Sequence, residues 1–306
     1  MLQNAGVKIV VSGGSGFIGT PLVKRLAERG DEVAVLSRSA SHGVQWHPPR
    51  QGEWSKVAGD ADVVVNLAGE NVGDGRWTDA RKQSLVSSRL DATHALVEAM
   101  QNNLSQRRTF ISASAVGYYG FDGEEIAEES SPRGAGFLAE LTEKWETAAR
   151  EATPFARVVI LRVGVVLDRR GGALAKLLLP FRLGAGGPIG NGKQWMSWID
   201  REDVLRAIEW SIDHEEARGV YNLTSPNPVR NRDFARALGR ALHRPALLPT
   251  PALALRMLFG DMADEALLGG QRAVPSRLTR EGFAFHYPTI EESLAHALQS
   301  ARENRT

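Results

Sequence analysis

Three glycines, Gly13, Gly16 and Gly19, stand between the run Val7-Lys8-Ile9-Val10-Val11 and an apolar pattern of helical period. That spacing suits a pyrophosphate. The first glycine permits a tight turn, the second leaves room where a Cβ would block close approach, and the third lets the helix pack on its strand. Free N–H groups at the helix N-terminus then face the phosphates, so Gly13, Ser15, Gly16, Phe17, Ile18 and Gly19 form a candidate dinucleotide cradle. The competing reading is a glycine-rich turn that binds nothing. The next strand ends Leu36-Ser37-Arg38-Ser39, where an acidic residue would hold the ribose 2′-hydroxyl of NAD. A guanidinium with flanking hydroxyls instead suits a 2′-phosphate, each charge-assisted hydrogen bond contributing about 1.5–3 kcal/mol. Ser37 and Arg38 therefore point to NADP in preference to NAD, unless Arg38 is only a solvated loop cation.

Two further groups carry chemistry. Tyr118 and Tyr119 follow a strand-like run directly and belong at its carboxyl end, where ligands bind in open α/β sheets. Either phenol presents a hydroxyl to a substrate, or both line a loop. The stretch from Gly190 to Trp198 joins flexible glycines to two tryptophans, as a lid over a binding site would, although core packing and structural turns fit it too. The seven histidines show no metal-ligand spacing, and no metal is expected. The absence of cysteine excludes disulfides, thiol nucleophiles and thiolate metal sites.

The elements that must position these groups alternate. Strands are expected at 7–11, 32–36, 61–67, 109–112 and 157–163, with helices near 16–29, 79–102 and 136–151. Strand–helix alternation with continuously apolar strands implies right-handed βαβ units and a parallel sheet covered on both faces. The fold class is thus α/β: a Rossmann doubly wound parallel sheet with a smaller C-terminal α/β substrate lobe. Residues 1–165 form the cofactor-binding domain, about 199–223 return to it, and 166–198 with 224–306 form the lobe. Glu124, Glu125, Glu128 and Glu129 read as a solvated acidic loop.

With 306 residues, 42% hydrophobic and 24% charged, the chain has an ordinary globular profile. A formal net charge of +1 gives no bulk attraction to nucleic acid or membranes, and neither is expected as a partner. The few residues before the first strand show no secretory pattern, and no apolar run approaches the ~20 residues that span a bilayer. A cytoplasmic location is expected.

Several stretches together resemble the extended short-chain dehydrogenase/reductase family, and within it an atypical epimerase-like branch with a distinctive C-terminal domain. Gly13-Gly14-Ser15-Gly16-Phe17-Ile18-Gly19 looks like its GxxGxxG motif, and Asn66-Leu67-Ala68-Gly69-Glu70 its cofactor-lining loop. Ser112-Ala113-Ser114-Ala115-Val116-Gly117-Tyr118-Tyr119-Gly120 is similar to the segment carrying the catalytic serine. Arg76-Trp77-Thr78, Ser88-Arg89, Trp145-Glu146, Gln194 to Ile199 and Gly269 to Pro275 resemble the branch itself. The resemblance adds Leu67, Ala68, Gly69, Glu70 and Arg89 to the cofactor candidates and Ser114 to the catalytic ones. It implies that the region around Gln194, Trp195 and Ser197 covers a small-molecule substrate, with Arg162 as a further contact. It also implies a homodimer through the long helices.

The resemblance breaks at the family's Tyr-x-x-x-Lys pair. Aligning the family's downstream glutamate with Glu146 puts Leu138 and Thr142 at those two positions, and neither does acid–base work near neutral pH. Two functions remain: an NADP-dependent oxidoreductase or epimerase-like enzyme that uses Ser114 with Tyr118 or Tyr119, or an NADP(H)-binding sensor with little catalysis.

Overall fold

The computed structural model describes residues 6–102 and 108–299. Its strands are β1 (Lys8–Ser12), β2 (Glu32–Ser37), β3 (Val44–Gln45), β4 (Val63–Asn66), β5 (Arg108–Ala115), β6 (Asp122–Ala127), β7 (Ala156–Val163), β8 (Val165–Leu167), β9 (Trp195–Met196), β10 (Trp198–Asp200), β11 (Gly219–Leu223), β12 (Val229–Arg230) and β13 (Gly270–Ala273). The α-helices are α1 (Gly19–Glu28), α2 (Glu53–Gly59), α3 (Asp79–Gln101), α4 (Phe137–Arg150), α5 (Gly172–Arg182), α6 (Arg201–Asp213), α7 (Asn231–Leu242), α8 (Ala252–Phe259), α9 (Ser276–Arg280) and α10 (Ile290–Gln299).

Seven strands form one sheet in the order β11-β7-β5-β4-β1-β2-β3, every pairing parallel. The order reverses beside β1, so the crevice between the carboxyl ends of β1 and β4 is where such sheets receive a ligand. Helices α1 and α6 cover one face around Leu22, Leu26, Val204 and Ile208; α2, α3 and α4 cover the other around Trp54, Leu96, Met100 and Ala149. Leu22 and Leu26 are fully buried, each contributing about 1.5–3 kcal/mol relative to exposure. A third cluster joins α5, α7 and α10 around Trp198 and Phe234.

Two expectations are corrected. Helix α1 begins at Gly19 rather than near Gly16, because residues 13–18 form turns, with the Gly16 N–H donating to the Gly13 carbonyl at 2.9 Å. The acidic run is a strand rather than a loop, with Glu124, Glu125 and Glu128 exposed as expected: residues 122–127 pair in parallel with β13, far away in sequence. The carboxylate of Glu129 accepts the backbone N–H groups of Asn222 and Arg277, so it clasps β11 to α9. Buried Asp203 likewise accepts the backbone N–H groups of His286 and Tyr287. No helix among the described residues is long and apolar enough to cross a membrane.

Candidate active site

The glycine turn sits at the carboxyl end of β1. Gly13 has φ +70°, and a Cβ there would lie 2.7 Å from the Leu67 carbonyl oxygen. At Gly19 a Cβ would lie 2.2 Å from the Gly13 oxygen. Both clashes are with backbone, so the turn closes only with glycine. Ser15 and Gly16 are exposed at its tip, leaving an uncovered surface for an anion. Phe17 turns its ring toward Gly171, and Ile18 packs into the core beside α1.

Asn66 locks the other side of the crevice. Its Oδ1 accepts from the Ser12 hydroxyl (2.7 Å) and the Ala68 N–H (3.2 Å), while its Nδ2 donates to Thr93 Oγ1 (2.9 Å). The ends of β1 and β4 are thereby tied to α3 and to the loop Leu67-Ala68-Gly69. Gly69 lies against the Arg89 guanidinium, which would stand 3.1 Å from a Cβ at that position. Arg89 is 9% exposed, donates to the carbonyls of Leu85 and Glu70, and has its pKa lowered to about 10 by burial, against the opposing pull of Glu70. It braces the loop from behind. The Glu70 carboxylate accepts from Arg81 and from the Ser84 hydroxyl. Its side chain is thus occupied by α3.

At the end of β2, Ser37 is buried and its hydroxyl accepts the Ser39 N–H at 3.2 Å. Arg38 is exposed, and its guanidinium has no hydrogen-bond or ion-pair partner among the described residues. Ser39, Ser41 and His42 continue a polar edge beside it, linked by bonds of 2.8 and 2.9 Å.

The serine–tyrosine segment is built differently. Glu146, 1% exposed on α4, accepts from the Ser114 hydroxyl (2.8 Å), from Nε and Nη2 of Arg162 (2.6 and 2.9 Å) and from Arg150 (2.8 Å). The remaining Arg162 nitrogen donates to the Tyr119 hydroxyl (2.8 Å), which donates to Asn222 Oδ1 (2.6 Å). Burial pushes the Tyr119 phenol up to about 12, against the opposing effect of Arg162. Tyr118 instead lays its ring on the Arg162 guanidinium, 3.4 Å from the ring centroid. It is half-buried, and its hydroxyl has no partner among the described residues.

Thus Ser114, 3% exposed, orders Glu146. Arg162, expected on the substrate side, is 2% exposed with all three nitrogens engaged inside the protein, because β7 and α4 meet around an otherwise uncompensated buried carboxylate. Thr142 donates to the Leu138 carbonyl at 2.7 Å, and Leu138 packs beside Trp77 and Leu141.

Beyond the sheet, Ser197 is buried: its hydroxyl donates to the Gln271 carbonyl and accepts the Ala273 N–H, joining the strand segment 195–200 to β13. Gln194 Nε2 donates to the carbonyls of Ile189 and Leu267. Trp195 lies between two cations, with Arg230 at 3.9 Å and Arg272 at 4.5 Å from its ring centroid, and its indole N–H donates to Glu124 at 3.3 Å. Glu146, Asn222, Arg230 and Arg272 were not among the residues expected at the site. Glu146 had a readable signal: it shares the buried α4 positions with Ala139, Thr142 and Ala149 at spacings of three and four, a carboxylate on an apolar face. Among the described residues no cluster of three or more His, Asp or Glu could hold a metal ion.

A model of the NAD dependent epimerase/dehydratase family matches residues 9–224. The chain belongs to this family. A model described as a domain of unknown function (DUF1731) matches residues 250–297, the distinctive C-terminal part. An epimerase family protein of Mycobacterium bovis is 44% identical over 298 residues, covering 96% of this chain and 98% of the relative. The crystal structure of a human epimerase family protein (isoform 2) with NADPH is similar with a TM-score of 0.86 and 35% identity, covering 95% of this chain and 99% of that one. A UDP-glucuronic acid 4-epimerase from Bacillus cereus, in complex with UDP-glucuronic acid and NAD, shares the fold with a TM-score of 0.74 at 18% identity, covering 95% of this chain and 99% of its own.

Proposed function

We propose that the chain binds NADPH along the carboxyl edge of its sheet and acts as an NADP-dependent oxidoreductase or epimerase-like enzyme on a small polar carbonyl or alcohol. The observation that carries this reading is the pairing of an open glycine cradle after β1 with the uncommitted guanidinium of Arg38 after β2. The NADPH in the similar human protein supports the same choice of nucleotide. In this reading the backbone from Ser15 to Ile18 holds the pyrophosphate, Ser37 and Arg38 hold the 2′-phosphate, and Leu67, Ala68 and Gly69 line the cofactor. Residues 1–165 and 199–223 carry the cofactor, and 166–198 with 224–306 form the substrate side.

When bound, the nicotinamide supplies hydride chemistry. Tyr118 is the group of this chain suited to the substrate oxygen, since its hydroxyl alone of the two phenols has no partner among the described residues. It would donate a hydrogen bond, and in turnover a proton, to that oxygen. Arg162 is a positioning residue that fixes the ring from its face, and Glu146 and Ser114 fix Arg162. Trp195 and the carbonyl end of the Gln194 amide would contact the rest of a polar substrate.

A second reading, a cofactor-binding sensor with little catalysis, is favoured by Leu138 and Thr142 at the family's acid–base positions and by the commitment of Ser114 to Glu146. Single-turnover oxidation of bound NADPH by a panel of aldehydes, ketones and keto sugars separates the two. Enzyme action predicts turnover with at least one class and its loss in Tyr118→Phe. Complete inertness, with NADPH tightly bound, would leave the sensor.

A further inference from the structure

Nine large apolar side chains stand exposed among the described residues, and all but Val7 and Ile126 fall in two short segments. Leu179 (66% exposed) and Leu183 (74%) close α5, while Leu247 (80%), Leu248, Leu253, Met257 and Leu258 occupy the stretch leading into and along α8. Of the eight residues of α8 only Leu255 is buried. The segments touch: the Leu248 N–H donates to the Gly186 carbonyl, and Arg244 Nε donates to the carbonyl of Arg182 at 3.0 Å. Exposed apolar side chains gathered in this way mark an interaction site.

Beside it runs a basic groove of about 690 Å³, lined by Arg232, Arg236, Arg240, His243, Arg244 and Leu247. The arginines at 232, 236 and 240 recur every fourth residue along α7, making one stripe, and Arg244 lines the same groove beyond the left-handed cap at His243. Their ion pairs use two carboxylates: Asp233 serves Arg232 and Arg236, and Glu291 serves Arg240. The near-neutral total of +1 therefore conceals a face that carries excess positive charge.

We infer that this face docks on an anionic lipid surface, with the leucines entering the headgroup boundary and the arginines meeting lipid phosphates. Protruding leucines beside cations suit neither a free phosphate nor a nucleic acid, which would leave them in water. Charge complementarity favours lipid phosphates over a second copy of the chain, which would bring a second set of the same arginines to the interface.

Flotation of the full chain with vesicles of phosphatidylglycerol and phosphatidylcholine in equal parts, and with phosphatidylcholine alone, tests this. The expected result is flotation with the anionic vesicles, weakened by salt and much reduced on phosphatidylcholine alone. Arg236→Glu with Arg240→Glu should lower partitioning by roughly tenfold or more. Leu247→Gln with Leu258→Gln should lower it at unchanged charge, with circular dichroism and melting temperature confirming the fold of both variants. The proposal is overturned if anionic vesicles fail to float the protein, if neither double variant reduces flotation, or if the leucine variant converts a sedimenting dimer to monomer while vesicles go unbound. It is equally overturned if inorganic polyphosphate binds the groove and vesicles do not.

Discussion

The two ends of the candidate site are built on opposite principles. At the cofactor end, Ser15, Gly16 and Arg38 are exposed and Arg38 has no partner among the described residues. At the other end Ser114, Glu146, Arg162, Tyr119 and Asn222 form a closed chain of hydrogen bonds of 2.6 to 2.9 Å, every member but Tyr119 at most 3% exposed. A buried polar network is stable only when its members satisfy one another, so those groups are not available to a ligand as they stand. The contrast teaches that residue type alone overcounts functional groups. Ser114 and Glu146 fix Arg162, whose guanidinium lies on the Tyr118 ring, while Asn222 engages Tyr119.

The comparison can be broken first at that phenol. Tyr118→Phe should slow any NADPH-linked turnover by about 10²–10⁴-fold while leaving NADPH affinity intact, whereas Tyr119→Phe should slow it far less. Equal rates for wild type and Tyr118→Phe, measured by stopped-flow loss of NADPH absorbance, would return Tyr118 to packing. Next, Glu146→Gln removes one partner of a buried ion pair and leaves Arg162 uncompensated. A loss of about 3–5 kcal/mol in urea unfolding is expected, with NADPH affinity nearly unchanged if the two ends are independent. At the open end, Arg38→Ala should weaken NADPH by about 1.5–3 kcal/mol in calorimetric titration and leave NADH binding unaffected; parallel losses for both nucleotides would dismiss the 2′-phosphate role.

The smallest effect concerns pH. The folded-state pKa of Tyr119 is raised to about 12, above its ordinary value of 10.0, because burial disfavours the phenolate. A raised folded pKa means stability that is complete below the unfolded pKa and lost as pH climbs through the folded one. Wild-type stability should therefore fall between about pH 10 and 12, and Tyr119→Phe should lessen the slope, with Tyr221 maintaining part of it since burial raises that phenol to about 12 as well.

The local parts of this molecule were legible from the chain. Gly13, Gly16 and Gly19 between a β-branched run and a helical pattern mark a turn by their spacing, although it is the Leu67 carbonyl that leaves no room for a side chain at Gly13, and Ser37-Arg38 ends its strand by position alone. The alternation of strands and helices likewise sets the parallel sheet, because continuous apolar runs must be covered on both faces. Tertiary contacts decided the rest. Tyr118 and Tyr119 are adjacent and chemically identical, yet only the approach of Arg162 from β7 and Asn222 from β11 commits one and frees the other. The pairing of β6 with β13 made a strand of the acidic run, Glu129 beyond it was claimed by the backbone of Asn222 and Arg277, and Ser197 was claimed by Gln271 and Ala273 across more than seventy residues. Hydrogen-bond satisfaction in a buried environment is a property of which segments meet, and no spacing within one segment encodes it.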